Sequence, residues 1–189
     1  MNTPRSWHML TNNELRRLPL PRQFESLAFA YLESAQNLCD VLADNRESAT
    51  FEKGAVVLYL SAHAVELFLK SAILRKAPNE SFAHDLEHIY NRYRALFPAK
   101  RFEFTSMPFT TEYPGMSTQE IAEVKRVQPD PSELYRYTIN KTGEPWQAAL
   151  GIEASSFARS LAALHADFSR VSGEHDAQPF AQAERQRQT

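Results

Sequence analysis

One stripe of a strongly apolar segment carries three residues able to hold or exchange a proton. His63, Glu66 and Lys70 fall at i, i+3 and i+7 in GAVVLYLSAHAVELFLKSAILRKA, so a helix places them on one face. An imidazole with a pKa near ~6.5 takes or gives a proton at neutral pH. Glu66 and Lys70 also form an i,i+4 pair, worth only ~0.2–0.5 kcal/mol on an exposed helix. On a helix this apolar, the pair is expected to be partly buried and to orient a neighbouring helix. His63 reads more simply as a satisfied core residue. His84-Asp85 opens HDLEHIYNRYRALF and serves either acid–base chemistry or, more simply, a helix start, where acids suit the positive end of the dipole. Arg92, Arg94, Lys100 and Arg101 form the densest basic patch, suited to an RNA backbone or to a solvated helix end. Tyr90, Tyr93 and the phenylalanines at helical spacing are core residues before they are stacking platforms.

Other chemistries lack their residues. None of the five glycines sits in GxGxxG or GxxxxGK[ST], so neither a dinucleotide nor a P-loop phosphate cradle is encoded. Without HExxH, and with Cys39 as the single cysteine, neither a metal-centred hydrolase nor a disulfide framework has support, and no cofactor is expected. The net charge of −2 excludes a globally basic nucleic-acid binder but leaves room for a local patch. Apolar stretches are interrupted before the ~18 residues of a membrane span. MNTPRSWHML lacks the apolar run of a secretory signal, and a cytoplasmic location is expected.

The elements that must position these residues follow from periodicity. A leader over 1–21 contains Pro4, Pro19 and Pro21, which break regular structure. Helices are predicted over 22–44, over 50–77 up to Pro78-Asn79, over 84–97 with Ser81 or His84 as its start, and over 147–171 with Gly173 as its end. Between them lies a proline-rich insert, 99–147. There RFEFTSMPF alternates, LYRYTI (134–139) reads as a second strand of a short β-hairpin, and an Asn-Lys-Thr-Gly turn follows. Ser117 and Glu120 form a capping box for a short helix at 118–126. The insert is too long for a passive loop, so it is a subdomain or a functional surface. The predicted fold is all-α: a four- to five-helix bundle over 22–172 with this insert before the last helix. A mobile polar tail follows over 173–189.

SAHAVELFLKSAIL, then AHDLEHIYNRY, then SELYRYT with Gly143 a little later, resembles the HEPN superfamily over about 24–172. In that family an apolar helix carries a Glu and a Lys one turn apart, matching Glu66 and Lys70. A following helix opens with His-Asp-Leu, matching His84-Asp85-Leu86, and an Arg-Tyr pair precedes the last helix, matching Arg136-Tyr137. The resemblance implies a helical bundle that forms a homodimer. It also implies one of two functions. The first is a metal-independent endoribonuclease of a toxin–antitoxin or antiviral defence system, with an antitoxin or effector as partner. The second is a non-catalytic module that binds a nucleotide or accompanies a nucleotidyltransferase. The catalytic branch carries Arg, four to six residues, then His on the last helix. Arg159 and His165 match with five residues between them; Arg170 and His175 also match, but straddle Gly173. Ser160 stands where active members often have Asn or His. The implied chemistry uses the RNA 2′-hydroxyl as nucleophile, His165 for proton transfer and Arg159 on the phosphate, giving a 2′,3′-cyclic phosphate. At ~100° per residue, positions 159 and 165 point ~120° apart, so side-chain reach or a two-fold dimer must bring them together. Arg136-Tyr137 either anchors the insert or meets a phosphate.

Overall fold

Prolines set the first boundary. Pro19 precedes the first turn of α2 (Leu20–Asp44) and Pro21 stands inside that turn, where a missing N–H breaks no helical bond. The prolines expected to break structure therefore launch the helix two residues before position 22. A five-residue helix, α1 (Asn13–Arg17), forms within the expected leader. The structure is a computed structural model and describes residues 10–105, 107–109, 115–127, 131–137, 139, 143–145 and 151–177. The remaining helices are α3 (Phe51–Lys76), α4 (Leu86–Leu96), α5 (Thr118–Val127), α6 (Pro131–Leu134) and α7 (Ala154–Ala177). The architecture is all-α, as periodicity predicts.

Short connections and terminal contacts fix the helix directions. Asn45 turns the chain between α2 and α3, its side chain accepting hydrogen bonds from the Glu47 and Ser48 amides. Arg75 near the end of α3 donates to Glu25 near the start of α2 at 2.9 Å, so the two helices run antiparallel. Asp176 near the end of α7 accepts from Arg22 at 2.6 Å, and Cys39 near the end of α2 contacts the Ala154 carbonyl, so α7 is also antiparallel to α2. Glu25, Asp176, Arg22 and Arg75 close into a ring of alternating charges, and Ser172 donates to the second oxygen of Glu25 at 2.6 Å.

The core lies between α2, α3, α4 and α7. Phe68 of α3 stacks on Phe168 of α7 with centroids 3.9 Å apart, and Phe29 and Phe104 pack edge-on against both rings. From Ser61 to Leu74 every α3 residue but His63 is buried. By length and composition α3 passes for a membrane span, contrary to the sequence expectation, but 78% of that apolar window is buried inside the protein, which marks it as the core helix.

Two segments depart from expectation. Helix α7 continues through Gly173 to Ala177, which places 173–177 in the bundle; residues 178–189 of the expected tail lie outside the described residues. An interior glycine costs about 1 kcal/mol relative to alanine. Burial of Val171 and His175 on either side, and the Asp176 ion pairs, outweigh it. The expected β-hairpin is also absent among the described residues. Lys100–Phe102 is a 3-10 turn, Leu134 ends α6, and the extended pairing is an isolated bridge between Ile139 and Pro145. The alternation of Phe102 and Phe104 reflects packing on helices: Phe102 against Phe97, Phe104 against Tyr93 and Phe68. Asp167 holds this segment, accepting from the Thr105 amide at 2.6 Å. Arg170 donates to the Arg101 and Glu103 carbonyls. The capping box stands as predicted, with Ser117 and Glu120 bonding each other's amides at 2.7 and 3.3 Å.

His175 gives the fold a pH dependence. Its ring lies between Phe97 and Phe102, and Nε2 is buried without a hydrogen-bond partner. Burial, reinforced by the Arg75 charge, lowers its pKa to about 4. The unfolded chain then binds the proton more readily, so this contribution is complete above pH ~6.5 and is lost as pH falls toward ~4. The loss amounts to about 2–3 kcal/mol over that window. Melting curves between pH 7 and 4 should show His175→Phe losing less Tm than the wild type; parallel declines would refute the assignment.

Candidate functional site

The residues that could do chemistry meet because the chain doubles back after α3. Beyond Lys76 it returns along that helix before α4 starts. Glu80 is held by both ends of the Arg92 guanidinium, at 2.9 and 3.0 Å. Phe82 lies under the Lys70 ammonium, 5.4 Å from ring centroid to Nζ. His84 thereby arrives at Glu66, Nδ1 to Oε1 at 2.9 Å. Asp85, rather than Ser81 or His84, caps α4, its side chain accepting from the His88 amide at 2.9 Å. Asp85 thus has a structural bond, and its neighbour His84 is free to face the cleft.

Glu66 is the centre of the site. Its side chain is 5% exposed, yet it is ionised and surrounded by donors. Lys70 Nζ lies 2.6 Å from Oε1, and His63 Nδ1 approaches Oε2 at 3.7 Å, the separation of an ion pair rather than a hydrogen bond. Burial alone would raise the carboxyl pKa. The contacts from His63, Lys70 and His84 outweigh it and hold the pKa at about 2. Both imidazoles turn Nδ1 toward the same carboxylate, which leaves each Nε2 on the ring edge away from it. His63 is held between aromatic rings, edge-on to Tyr31 at 4.7 Å and parallel to Tyr59 at 6.0 Å. His84 is open, with 78% of its side chain exposed.

The insert completes the site. Helix α6 packs on α3 and ends in a turn in which the Glu133 carbonyl accepts from the Arg136 and Tyr137 amides. This turn brings the Arg136 guanidinium to 5.8 Å from the Tyr59 ring centroid, and Arg136 donates to the Tyr137 hydroxyl at 3.2 Å. Tyr59, Ala62, His63, Glu66, His84, Leu86, Pro131 and Arg136 line a cleft of about 420 Å³, its open mouth included. Ala62, Glu66 and Leu86 are buried at its base, and exposed His84 and Arg136 stand at its rim.

Of the residues singled out from sequence, Glu66, Lys70, His84 and Arg136 are therefore brought together, with Tyr137 beside Arg136 and Asp85 at the adjoining cap. Arg159 and His165 are not part of this cleft. His165 leans edge-on against Phe29 at 5.5 Å, and its Nε2 is 3.9 Å from Glu33 on α2. Arg159 is exposed, and its charge helps lower the Glu153 pKa, after the hydrogen bonds that Glu153 accepts from Ser156 and Ser155. Among the described residues no bond joins Arg159 to His165. The second Arg–His match is structural, because Arg170 clamps the 101–105 segment and His175 is buried. In the basic patch, Arg92 is committed to Glu80 and Arg101 approaches Glu174 at 3.5 Å. Two cleft residues carried only a weak sequence signal. Tyr59 lies on the stripe of His63, Glu66 and Lys70, and the spacing of His63 on an apolar helix points to the core. Trp7 and Trp146, whose roles sequence leaves open, lie outside the described residues.

Compared with family models, with curated proteins and with solved structures, the chain matches none. The class defined by its fold and site is an all-α bundle with a charged cleft where the core helix meets a folded-back loop and the insert.

Proposed function

We propose that this chain is a HEPN-like helical module that binds the phosphate of a nucleotide or RNA in the cleft between α3, the start of α4 and α6. The observation that carries this reading is the convergence of Arg136, His84 and His63 on one cleft around a carboxylate whose charge Lys70 balances. A guanidinium and two imidazoles in their imidazolium form offer donors suited to phosphate oxygens, and Tyr59 offers an aromatic face to a base or sugar. Fluorescence anisotropy with short RNAs and calorimetry with nucleotides, both in EDTA, test it. Arg136→Ala is expected to weaken binding about 10- to 100-fold, the effect of losing one charge-assisted contact, with the fold intact. Unchanged affinity in Arg136→Ala would reject the cleft as the binding site.

The endoribonuclease of a defence or toxin–antitoxin system is the second reading. It is favoured by the solvent access of both Arg159 and His165 on the terminal helix. It requires a homodimer in which the two residues meet across a two-fold axis. The same EDTA incubations separate the two readings: RNA recovered intact supports the binding module, whereas cleavage that vanishes in Arg159→Ala and His165→Ala supports the nuclease.

A further inference from the structure

We propose that the cleft selects a terminal phosphate, the phosphomonoester at a nucleotide or RNA end, over an internal phosphodiester. The inference rests on the reading of this cleft as a nucleotide or RNA site and deepens it. Shape is the first ground. Buried Ala62, Glu66 and Leu86 line the cleft, and exposed His84 and Arg136 stand at its rim. A cleft with these buried residues among its lining and His84 and Arg136 at its mouth admits a chain end. An internal phosphodiester needs room for the strand to leave in two directions.

Charge is the second ground. Glu66 and Lys70 cancel at 2.6 Å, so the positive character presented to a ligand comes from Arg136 and the imidazole edges beside it. Glu66 faces Nδ1 of both histidines, which leaves their Nε2 edges for a ligand, and in the imidazolium form each Nε2–H donates to a phosphate oxygen. Arg136 contributes a planar fork, steadied by the Tyr137 hydroxyl and the Tyr59 ring. A phosphomonoester presents three acceptor oxygens and about −1.5 to −2 charge near pH 7, which matches a fork plus two single donors. An internal diester offers one negative charge and two unesterified oxygens, and leaves part of that set unpaired.

The test compares one short single-stranded RNA bearing a 5′-phosphate, a 3′-phosphate or hydroxyls at both ends, with adenosine, adenosine 5′-monophosphate and inorganic phosphate as competitors. A phosphate at one of the two ends should tighten binding at least about tenfold over the hydroxyl-ended strand. Arg136→Ala and His84→Gln should erase that advantage, so that phosphorylated and hydroxyl-ended strands bind each variant alike. The monophosphate should compete, and adenosine should not. Hydroxyl-ended RNA that binds as tightly as the phosphorylated strands, and loses affinity in Arg136→Ala, would overturn the preference and leave the nucleotide or RNA reading standing. If every probe binds wild type and Arg136→Ala alike, both fall.

Discussion

Glu66→Ala lowers the stability of the fold by about 3–5 kcal/mol, the loss expected when one partner of a buried ion pair is removed. The Lys70 side chain is 8% exposed and then has no ion-pair partner among the described residues, and His84 loses the oxygen that draws it onto α3. The loss comes from the stranded ammonium rather than from any large worth of the pair itself, which makes a second variant decisive. Glu66→Leu combined with Lys70→Met removes both charges and should recover most of the stability, because a well-packed apolar pair replaces a buried ion pair at little net cost. It should not recover phosphate binding, since the imidazoles are no longer oriented. Urea unfolding followed by circular dichroism measures both effects, through the midpoint at constant m. A Glu66→Ala protein as stable as the wild type would show that water reaches Lys70 and that the pair is not buried in solution.

Phe68→Ala is the second large effect, again about 3–5 kcal/mol, and it has the opposite functional signature. Phe68 is 1% exposed and Phe168 fully buried, and their stacked rings sit at the centre of a four-phenylalanine cluster with Phe29 and Phe104. Truncation leaves a cavity bounded by three rings from α2, α7 and the 101–105 segment, none of which can collapse into it without moving its own element. Phe68 is two residues from Glu66, ~200° around the helix, so it faces away from the cleft. Chemical denaturation should show the loss, and affinity measured below the unfolding midpoint should stay at the wild-type value. A loss of less than about 1 kcal/mol would mean the cluster repacks, and the four rings would not act as one unit.

What the sequence revealed and what it hid divide along one physical line. The long helices were legible because apolar residues recur at steps of three and four, a signal each helix carries within itself. So was the stripe of His63, Glu66 and Lys70, since their spacing alone places them on one face. His84 and Arg136 reach that stripe by routes with no local signature. One depends on the Arg92–Glu80 bond that folds residues 77–85 back along α3, the other on four residues of α6 and the turn after them. The expected hairpin departs from the structure for a related reason. Phe102 and Phe104 alternate as strand residues do, but both bury against helices, which the pattern alone does not distinguish. Gly173 signals a stop by a local propensity, whereas the Arg22 and Arg75 bonds to Asp176 that hold the turn beyond it come from 154 and 101 residues away along the chain.

That ring of Arg22, Glu25, Arg75 and Asp176 has a consequence for how the molecule opens. A terminal helical turn ordinarily frays, exchanging its amide hydrogens with solvent through brief local excursions. Here the final turn of α7 is tethered to the first turns of α2 and the last turn of α3, so loosening it takes Asp176 from two guanidinium groups at once and leaves both to share Glu25. The three ends therefore let go together, and the protection of amides near Asp176 follows that of the helices it binds rather than its place near the end of a helix.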